Sequence, residues 1–349
     1  MRSLTPPYLD ALRLTGGDAS TLKALGECRG RQDLYRRQTP QLLEDLRTAA
    51  VIESSESSNR LEGIVAPHER IAALVLRETA PRNRSEQEIA GYRDALNVIH
   101  ESAAHMTFTE NVVLQLHQVL YRYLPEPGGR WKMAPNEIVE READGSVRRG
   151  GFVPPPPVAT PGLMHELVDG YARAVDVGRE PLILVPLAIL DFLCIHPFGD
   201  GNGRMARLLT LLLLYHFGYD VGRYISMERI FEESRETYYE TLEASSQGWH
   251  GGRHDVGPWL RYFWGVTLRA YREFEERVGT LREGRGAKQD MVEAAVLRRI
   301  GPFAISDIEA DCPGVSRDWV RVVLRRMRNE ARIAPQGRGR SAKWKRVED

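Results

Sequence analysis

Cysteine is scarce. Three residues, Cys28, Cys194 and Cys312, are scattered along a chain of 349. An odd, widely spaced set offers neither a disulfide framework nor zinc-ligand spacing, and it fits a reducing compartment. Net charge is missing too, because 48 Lys and Arg balance 48 Asp and Glu. That balance excludes nucleic-acid or membrane binding driven by bulk electrostatics. Long apolar runs are also absent. The richest, Leu182 to Leu193 and Leu208 to Leu214, are too short or too interrupted to span a bilayer. The first residues carry Arg2, Pro6 and Pro7 and show no apolar signal core. These absences leave a soluble cytoplasmic protein as the expectation.

Hydrophobic residues make up 42% of the chain, enough for an ordinary buried core, and the length suits a main domain with a smaller appendage. One stretch concentrates the chemistry: His196-Pro197-Phe198-Gly199-Asp200-Gly201-Asn202-Gly203-Arg204-Met205-Ala206-Arg207. An apolar run from Leu182 to Ile195 ends at a single histidine. A neutral imidazole beside a hydroxyl acts as a general base near neutral pH. Asp200 is a hard oxygen ligand, suited to Mg²⁺ shared with phosphates. Gly201, Asn202 and Gly203 form a turn poor in side chains at the start of a helix, where free N–H groups and the helix dipole bind anions. Arg204 and Arg207 lie on one face of that helix's first turn. Cations there oppose the dipole, which makes sense around a polyanion. Leu208 to Leu214 then continue the helix as a buried, rigid rod. Base, metal ligand, phosphate cradle and cationic clamp describe transfer from a nucleotide polyphosphate to a hydroxyl.

The stretch resembles the signature of the Fic family, His-x-Phe-x-Asp/Glu-Gly-Asn-Gly-Arg-x-x-Arg, at every fixed position. The resemblance implies a mainly α-helical core. It implies a nucleotidyltransferase that moves AMP from Mg·ATP to a Ser, Thr or Tyr hydroxyl of a protein. On that reading His196 deprotonates the target hydroxyl and Asp200 holds Mg²⁺. The turn from Gly201 to Gly203 and the Asn202 side chain bind the α- and β-phosphates, and Arg204 and Arg207 grip the phosphate tail. Upstream, Ser58-x-x-x-Glu62-Gly63 is similar to the family's inhibitory motif. This implies that Glu62 pairs with Arg207, takes the place of the ATP tail and inhibits the enzyme in cis. By itself the same segment reads as a polar helix end stopped by Gly63.

Along the chain, residues 1 to 40 read as an arm with short helical pieces. Helical spacing starts at Gln41 and returns from Pro67 to Leu76. A third helix, Ser85 to His100, opens with a capping box, Ser85-x-x-Glu88. A fourth runs from Thr107 through Tyr123. Residues 136 to 147 read as two extended pieces around a turn at Asp144-Gly145. The resemblance implies a hairpin flap there, over the site, able to align a target segment through a strand edge. Arg130-Trp131 is similar to an arginine seen ahead of that flap. Further helices are expected over Leu163 to Ala174, Pro181 to Ile195 with Pro186 near the first turn, Met227 to Gly248, and Trp259 to Arg277. The family places an aromatic near the adenine, for which Tyr239 is the candidate; Tyr238 and Tyr239 also read as core packing.

Gly279 to Lys288 reads as a linker. Beyond it the order of helices Met291 to Ile300, Ile305 to Ala310 and Ser316 to Asn329, followed by a basic β tail, is that of a winged helix-turn-helix. Arg317, Arg321, Arg325, Arg326 and Arg328, then Arg332, Arg338, Arg340, Lys343, Lys345 and Arg346, give local basic density for phosphates of DNA or for protein docking. The expected organisation is therefore 1–100 for an arm and helices carrying the inhibitory motif, 101–280 for the catalytic core, and 288–349 for the winged helix. Two rival activities share the same residues. One is a DNA-binding regulator with an ATP-responsive, self-modifying core. The other is removal of AMP, with Glu62 positioning water. The sequence leaves the target protein and a homodimer open.

Overall fold

The computed structural model describes residues 3–36, 40–136, 139–141, 147–149, 152–283, 287–297, 299, 301–312, 315–336 and 343–347. The expected turn at Asp144-Gly145 and the tail residues Arg338 and Arg340 lie outside the described residues. The chain falls into two compact units, Met1–Arg31 with Glu44–Glu273, and Gln32–Leu43 with Phe274–Asp349. Residues 1–31 and 44–100 thus fall in the same unit as the signature. Among the described residues no helix is long and apolar enough to cross a membrane.

The helices in order are α1 (Pro6–Ala11), α2 (Gly16–Arg36), α3 (Pro40–Leu61), α4 (His68–Val75), α5 (Arg84–Ser102) and α6 (Glu110–Leu120). They continue as α7 (Thr160–Asp176), α8 (Pro181–Ile195), α9 (Asn202–His216), α10 (Met227–Glu233), α11 (Arg235–Ser246) and α12 (Gly257–Glu283). The first unit is built around α8 and α9, which pack on each other and are buried along almost their whole length. Helix α5 packs against α9 and α6, and α7 against α8. Between α6 and α7, strands β1 (Val139–Arg141) and β2 (Val147–Arg149) pair antiparallel, Val139 opposite Arg149.

Several local expectations are corrected. The residues before 40 hold a 21-residue helix, α2, in place of short pieces only. Asn83, not Ser85, caps α5: its side-chain oxygen accepts the Glu86 N–H at 3.0 Å, because a helix start needs only one such acceptor in place. Glu88 is then one turn inside and turns to arginines. Helix α6 stops at Leu120, short of Tyr123. Met227 to Ser246 is two helices that break at Ser234, whose hydroxyl bonds back to Ile230 O at 2.6 Å. Helix α12 runs on to Glu283, into the expected linker.

Pro186 lies in the second turn of α8, inside the helix. It has no N–H to give the carbonyl of Leu182, four residues back. The indole of Trp264 donates to that carbonyl instead, at 2.6 Å, and the indole of Trp259 donates to Pro186 O at 2.8 Å. Trp264 of α12 thus satisfies the carbonyl that the proline leaves short, and Trp259 adds a second anchor at the proline itself.

The second unit contains α13 (Ala287–Leu297), α14 (Ile305–Asp311), α15 (Arg317–Asn329), and strands β3 (Ile333–Gln336) and β4 (Lys343–Arg346), paired antiparallel. Val292, Val296, Phe303, Ile308, Leu324 and Met327 form its core, with Trp344 packed against them. The Phe303 and Trp344 backbones exchange two hydrogen bonds, 2.8 and 2.7 Å, tying the α13–α14 connection to β4.

Candidate active site

Helix α8 delivers His196 as its C-terminal cap. The residue adopts the left-handed conformation, φ 51° and ψ 59°, while its N–H still closes the helix on Phe192 O at 2.9 Å. A side chain with a Cβ bears about 1–2 kcal/mol of strain there. The carbonyls of residues 195 to 198 have left the helical ladder and need donors, and the Lys132–Asn136 segment supplies them. Lys132 Nζ donates to Ile195 O at 3.0 Å and Lys132 N to Pro197 O at 2.8 Å. Asn136 Nδ2 donates to His196 O at 3.0 Å and to Phe198 O at 2.7 Å. Lys132 Nζ also donates to Asn136 Oδ1 at 2.9 Å. Arg130, the residue the sequence points to, is exposed, whereas Trp131 stands 5.3 Å from the Phe198 ring.

His196 Nδ1 lies 3.2 Å from Leu193 O. A carbonyl only accepts, so Nδ1 carries the proton and Nε2 keeps its lone pair. Burial above all, with the Lys132 cation, lowers the imidazole's pKa to about 4 against the Leu193 bond and the carboxylates of Glu62 and Asp200, which raise it. The ring is therefore neutral at physiological pH, as a general base requires.

After His196 the chain turns at Gly201, φ 81°, and enters α9 with no side-chain cap. The N-terminal amides of α9 are thus left to an anion. Asn202 is bonded within the loop. Its Oδ1 accepts Phe198 N–H at 2.9 Å and its Nδ2 donates to Phe198 O at 2.8 Å. The carboxamide braces the loop from within and keeps one Nδ2 hydrogen beyond the bond to Phe198 O. A side chain on Gly203 would collide with Glu62 Oε1. The Glu62 carboxylate thus lies against the cradle itself.

Asp200 is held from two sides. Its carboxylate accepts the Tyr121 hydroxyl at 2.9 Å and lies 3.5 Å from Arg204 Nη2. Its carbonyl faces His117 Nε2 at 3.1 Å, while His117 Nδ1 accepts Gly129 N–H at 2.9 Å, so Nε2 carries the His117 proton. Burial pushes the Asp200 pKa up, but Arg204, Tyr121 and the Gly201 N–H outweigh it and the carboxyl stays ionised. The side chain is 70% exposed. Among the described residues no three metal-ligating side chains gather. One ionised, accessible carboxylate beside an anion cradle fits Mg²⁺, which completes its shell with water and phosphate oxygens.

The two arginines do not close on a common point. Arg204 is 1% exposed and bonds Glu88 Oε2 of α5 at 2.7 Å. Arg207 turns to α3, donating to Ser58 Oγ and Ser58 O at 2.8 Å each and to Glu62 Oε1 at 2.7 Å. Each arginine pairs with a carboxylate from a different neighbouring segment, Arg204 with Glu88 and Arg207 with Glu62. The reason is packing: α3 and α5 flank the start of α9, and each brings a carboxylate to a buried cation. Burial works against the Arg207 charge, yet Glu62, Tyr238 and Tyr92 raise its pKa overall. Tyr238 is buried and bonded to Arg207, whereas Tyr239 is partly buried, its hydroxyl pKa raised by burial and by Glu62.

Residues 107–214 match the family model described as Fic/DOC family. The chain carries a Fic domain. It is 30% identical over 177 residues to the protein adenylyltransferase Fic of Drosophila willistoni, covering 50% of this chain and 31% of that one. It is 28% identical over 185 residues to the same-named protein of Aedes aegypti, covering 52% and 32%. The match thus spans about a third of the length of these curated relatives. A crystal structure of a Fic family protein from Desulfovibrio desulfuricans G20 superposes with a TM-score of 0.62 at 23% identity, covering 97% of this chain and 98% of that one. Fic-1 from C. elegans gives 0.59 at 19%, covering 76% and 72%. These likenesses show a Fic-type, mainly helical fold.

Within the Fic domain, sequence reading missed His117, Tyr121, Lys132 and Asn136; outside the matched stretch it missed the role of Glu88. No period or motif marks them. A carbonyl-bonding Asn in a Pro- and Gly-rich connection looks like any loop residue. Glu88 sat in an apparent capping box, and only its tertiary neighbour shows otherwise.

Proposed function

We propose that this chain transfers AMP from ATP to a hydroxyl side chain of a protein. The observation that carries the reading is the neutral His196, its Nε2 lone pair unprotonated, a few residues from an uncapped helix start and an ionised Asp200. His196 Nε2 takes the proton from a Ser, Thr or Tyr hydroxyl. The oxygen bonds to the α-phosphorus as the α–β bridging bond breaks, and pyrophosphate leaves. The amides of Asn202 and Gly203 and the α9 dipole bind the phosphates. Asp200 would hold Mg²⁺, which neutralises phosphate charge when bound. Arg207 would meet the phosphate tail once freed of Glu62. Tyr239 would border the nucleotide base, and strands β1 and β2 would act as a flap that aligns the target. Incubation with ATP labelled at the α or the γ position tests the reaction. Label should reach protein from the α position only; transfer from the γ position would mean another chemistry.

Glu62 makes the site autoinhibited on this reading. Its carboxylate lies against Gly203 and on Arg207, where the ATP tail would lie. The same carboxylate also supports the reverse reaction, with Glu62 orienting water onto an AMP-modified side chain. A premodified target decides: release of AMP by the unmutated chain makes it an eraser.

The second unit supports a further partner. Its three helices and strand pair read as a winged helix-turn-helix, with α15 for the major groove of duplex DNA. From residue 316 to 346 there are 11 Lys and Arg against 2 Asp and Glu, a difference of +9. The charge is partly used internally, since Arg317 pairs with Glu309, Arg321 with Asp318, Arg326 with Glu330 and Arg332 with Glu293. Arg325 and Arg328 are exposed, without an ion-pair partner among the described residues. A mobility-shift titration of the whole chain over a salt range tests it; no complex at low salt removes DNA as a partner. Cys28, Cys194 and Cys312 are buried and form no disulfide among the described residues, which suits a cytoplasmic setting.

A further inference from the structure

The mechanism proposed above uses His196 but does not explain what holds a β-carbon-bearing residue in the left-handed region at the end of a helix. Four successive carbonyls, those of residues 195, 196, 197 and 198, each accept a hydrogen bond from Lys132 or Asn136. Asn136 is saturated, and Lys132 commits two of its three ammonium hydrogens. Asn136 uses both amide hydrogens on two carbonyls and its oxygen on Lys132, and Lys132 divides its ammonium between Ile195 O and Asn136 Oδ1. Lys132 is 5% exposed, so this is a built contact and not a passing surface bond. Asn202 adds a second donor only at Phe198 O.

We infer that Lys132 and Asn136 are positioning residues for the general base: they splint the 195–198 turn and so fix where the His196 ring points. The bond from Nδ1 to Leu193 O depends on this backbone path, because a helical or extended residue 196 would swing the imidazole elsewhere. With that bond kept, Nδ1 holds the proton and Nε2 stays the base. With it lost, the tautomer is no longer selected and the ring wanders from the attacking oxygen. Misplacement of this kind lowers the rate of the chemical step and spares nucleotide binding. Asn136 is the sharper probe of the two. An aspartate has its shape but carries no hydrogens, so it faces two carbonyls with like charge. Lys132 also sets the imidazole's environment through its cation.

The inference rests on the reading of His196 as the base, and the experiment separates the two. In a Glu62→Gly parent, Asn136→Asp and Lys132→Met are assayed for AMP transfer and for ATP binding by calorimetry. Imidazole-nitrogen NMR of His196 is recorded across pH. The expected result is a fall in kcat of about tenfold or more, with ATP affinity within about twofold. The His196 spectrum should change from a single Nδ1–H tautomer to a mixture in both variants. In Lys132→Met its titration should move up toward the ordinary histidine range. A folded Asn136→Asp that keeps the single tautomer and the parent kcat overturns the inference. Should Lys132→Met not fold, Asn136→Asp, isosteric and only partly buried, carries the test. If the parent itself transfers no AMP, the proposed function fails. The tautomer in the spectrum then still decides whether the splint exists.

Discussion

Glu62 Oε1 lies 2.7 Å from Arg207 Nη2, joining residues 145 apart in sequence at the start of α9. Arg207 is 3% exposed, so removing its carboxylate leaves a buried cation held by Ser58 and Tyr238 and open to phosphate. Glu62→Gly should raise self-labelling from α-labelled ATP by about tenfold or more, the rate equivalent of about 1.4 kcal/mol. Labelling equal to that of the unmutated chain would remove Glu62 from any inhibitory role.

The pH dependence should follow His196. Burial holds its pKa near 4, below the ordinary 6.5, so the base form persists well into acid. In the Glu62→Gly chain, kcat/KM should stay flat from about pH 8 to about pH 5 and fall only as pH drops toward 4, because protonation removes the lone pair. An acid limb centred near 6.5 would show that the ring is solvated in the working enzyme. His196→Ala should lower transfer by about 10²–10⁴-fold while ATP binding, measured separately, stays close to that of the parent.

What the sequence made legible is what lies contiguously in it. The run from Pro181 to Ile195 became a helix with those bounds, because its apolar content is unbroken and proline opens it. The order of base, acid, glycine turn and arginines could be read because one loop carries all of them. Asn202 was read by residue type, as a side chain for phosphate. Its carboxamide also matches the Phe198 backbone N–H and C=O four residues back, and no one-dimensional pattern shows that local use. Glu88, Lys132 and Asn136 act on partners 116, 63 and 60 residues away. Packing alone creates those relations.

The Arg204–Glu88 pair should matter for stability. Both side chains are buried, at 1% and 8% exposure, and bond at 2.7 Å. Glu88→Ala strands a guanidinium beneath α5, with Asp200 at 3.5 Å as the nearer remaining acid. Loss of one partner of a buried pair costs about 3–5 kcal/mol. Urea unfolding should show a matching fall in midpoint at unchanged slope. Glu88→Gln, which can still accept one bond, should lose less. A loss under about 1 kcal/mol for the alanine variant would mean that water reaches the guanidinium in solution.

Trp264 gives the last prediction, and it concerns the rod that carries the base. Pro186 cannot donate to Leu182 O, and the Trp264 indole does so in its place at 2.6 Å. Trp264→Phe keeps an aromatic ring but removes the donor, leaving a carbonyl unsatisfied in a helix that is buried on nearly every side. That omission costs about 1–3 kcal/mol, beyond the smaller ring's loss of packing. The compensating variant separates the two effects. Pro186→Ala restores a donor to Leu182 O, so it should recover stability in the Trp264→Phe background and gain much less in the unmutated chain, where the indole already fills the role. Equal gains in both backgrounds, measured by chemical denaturation, would mean that the indole bond does not stand in for the proline's missing N–H.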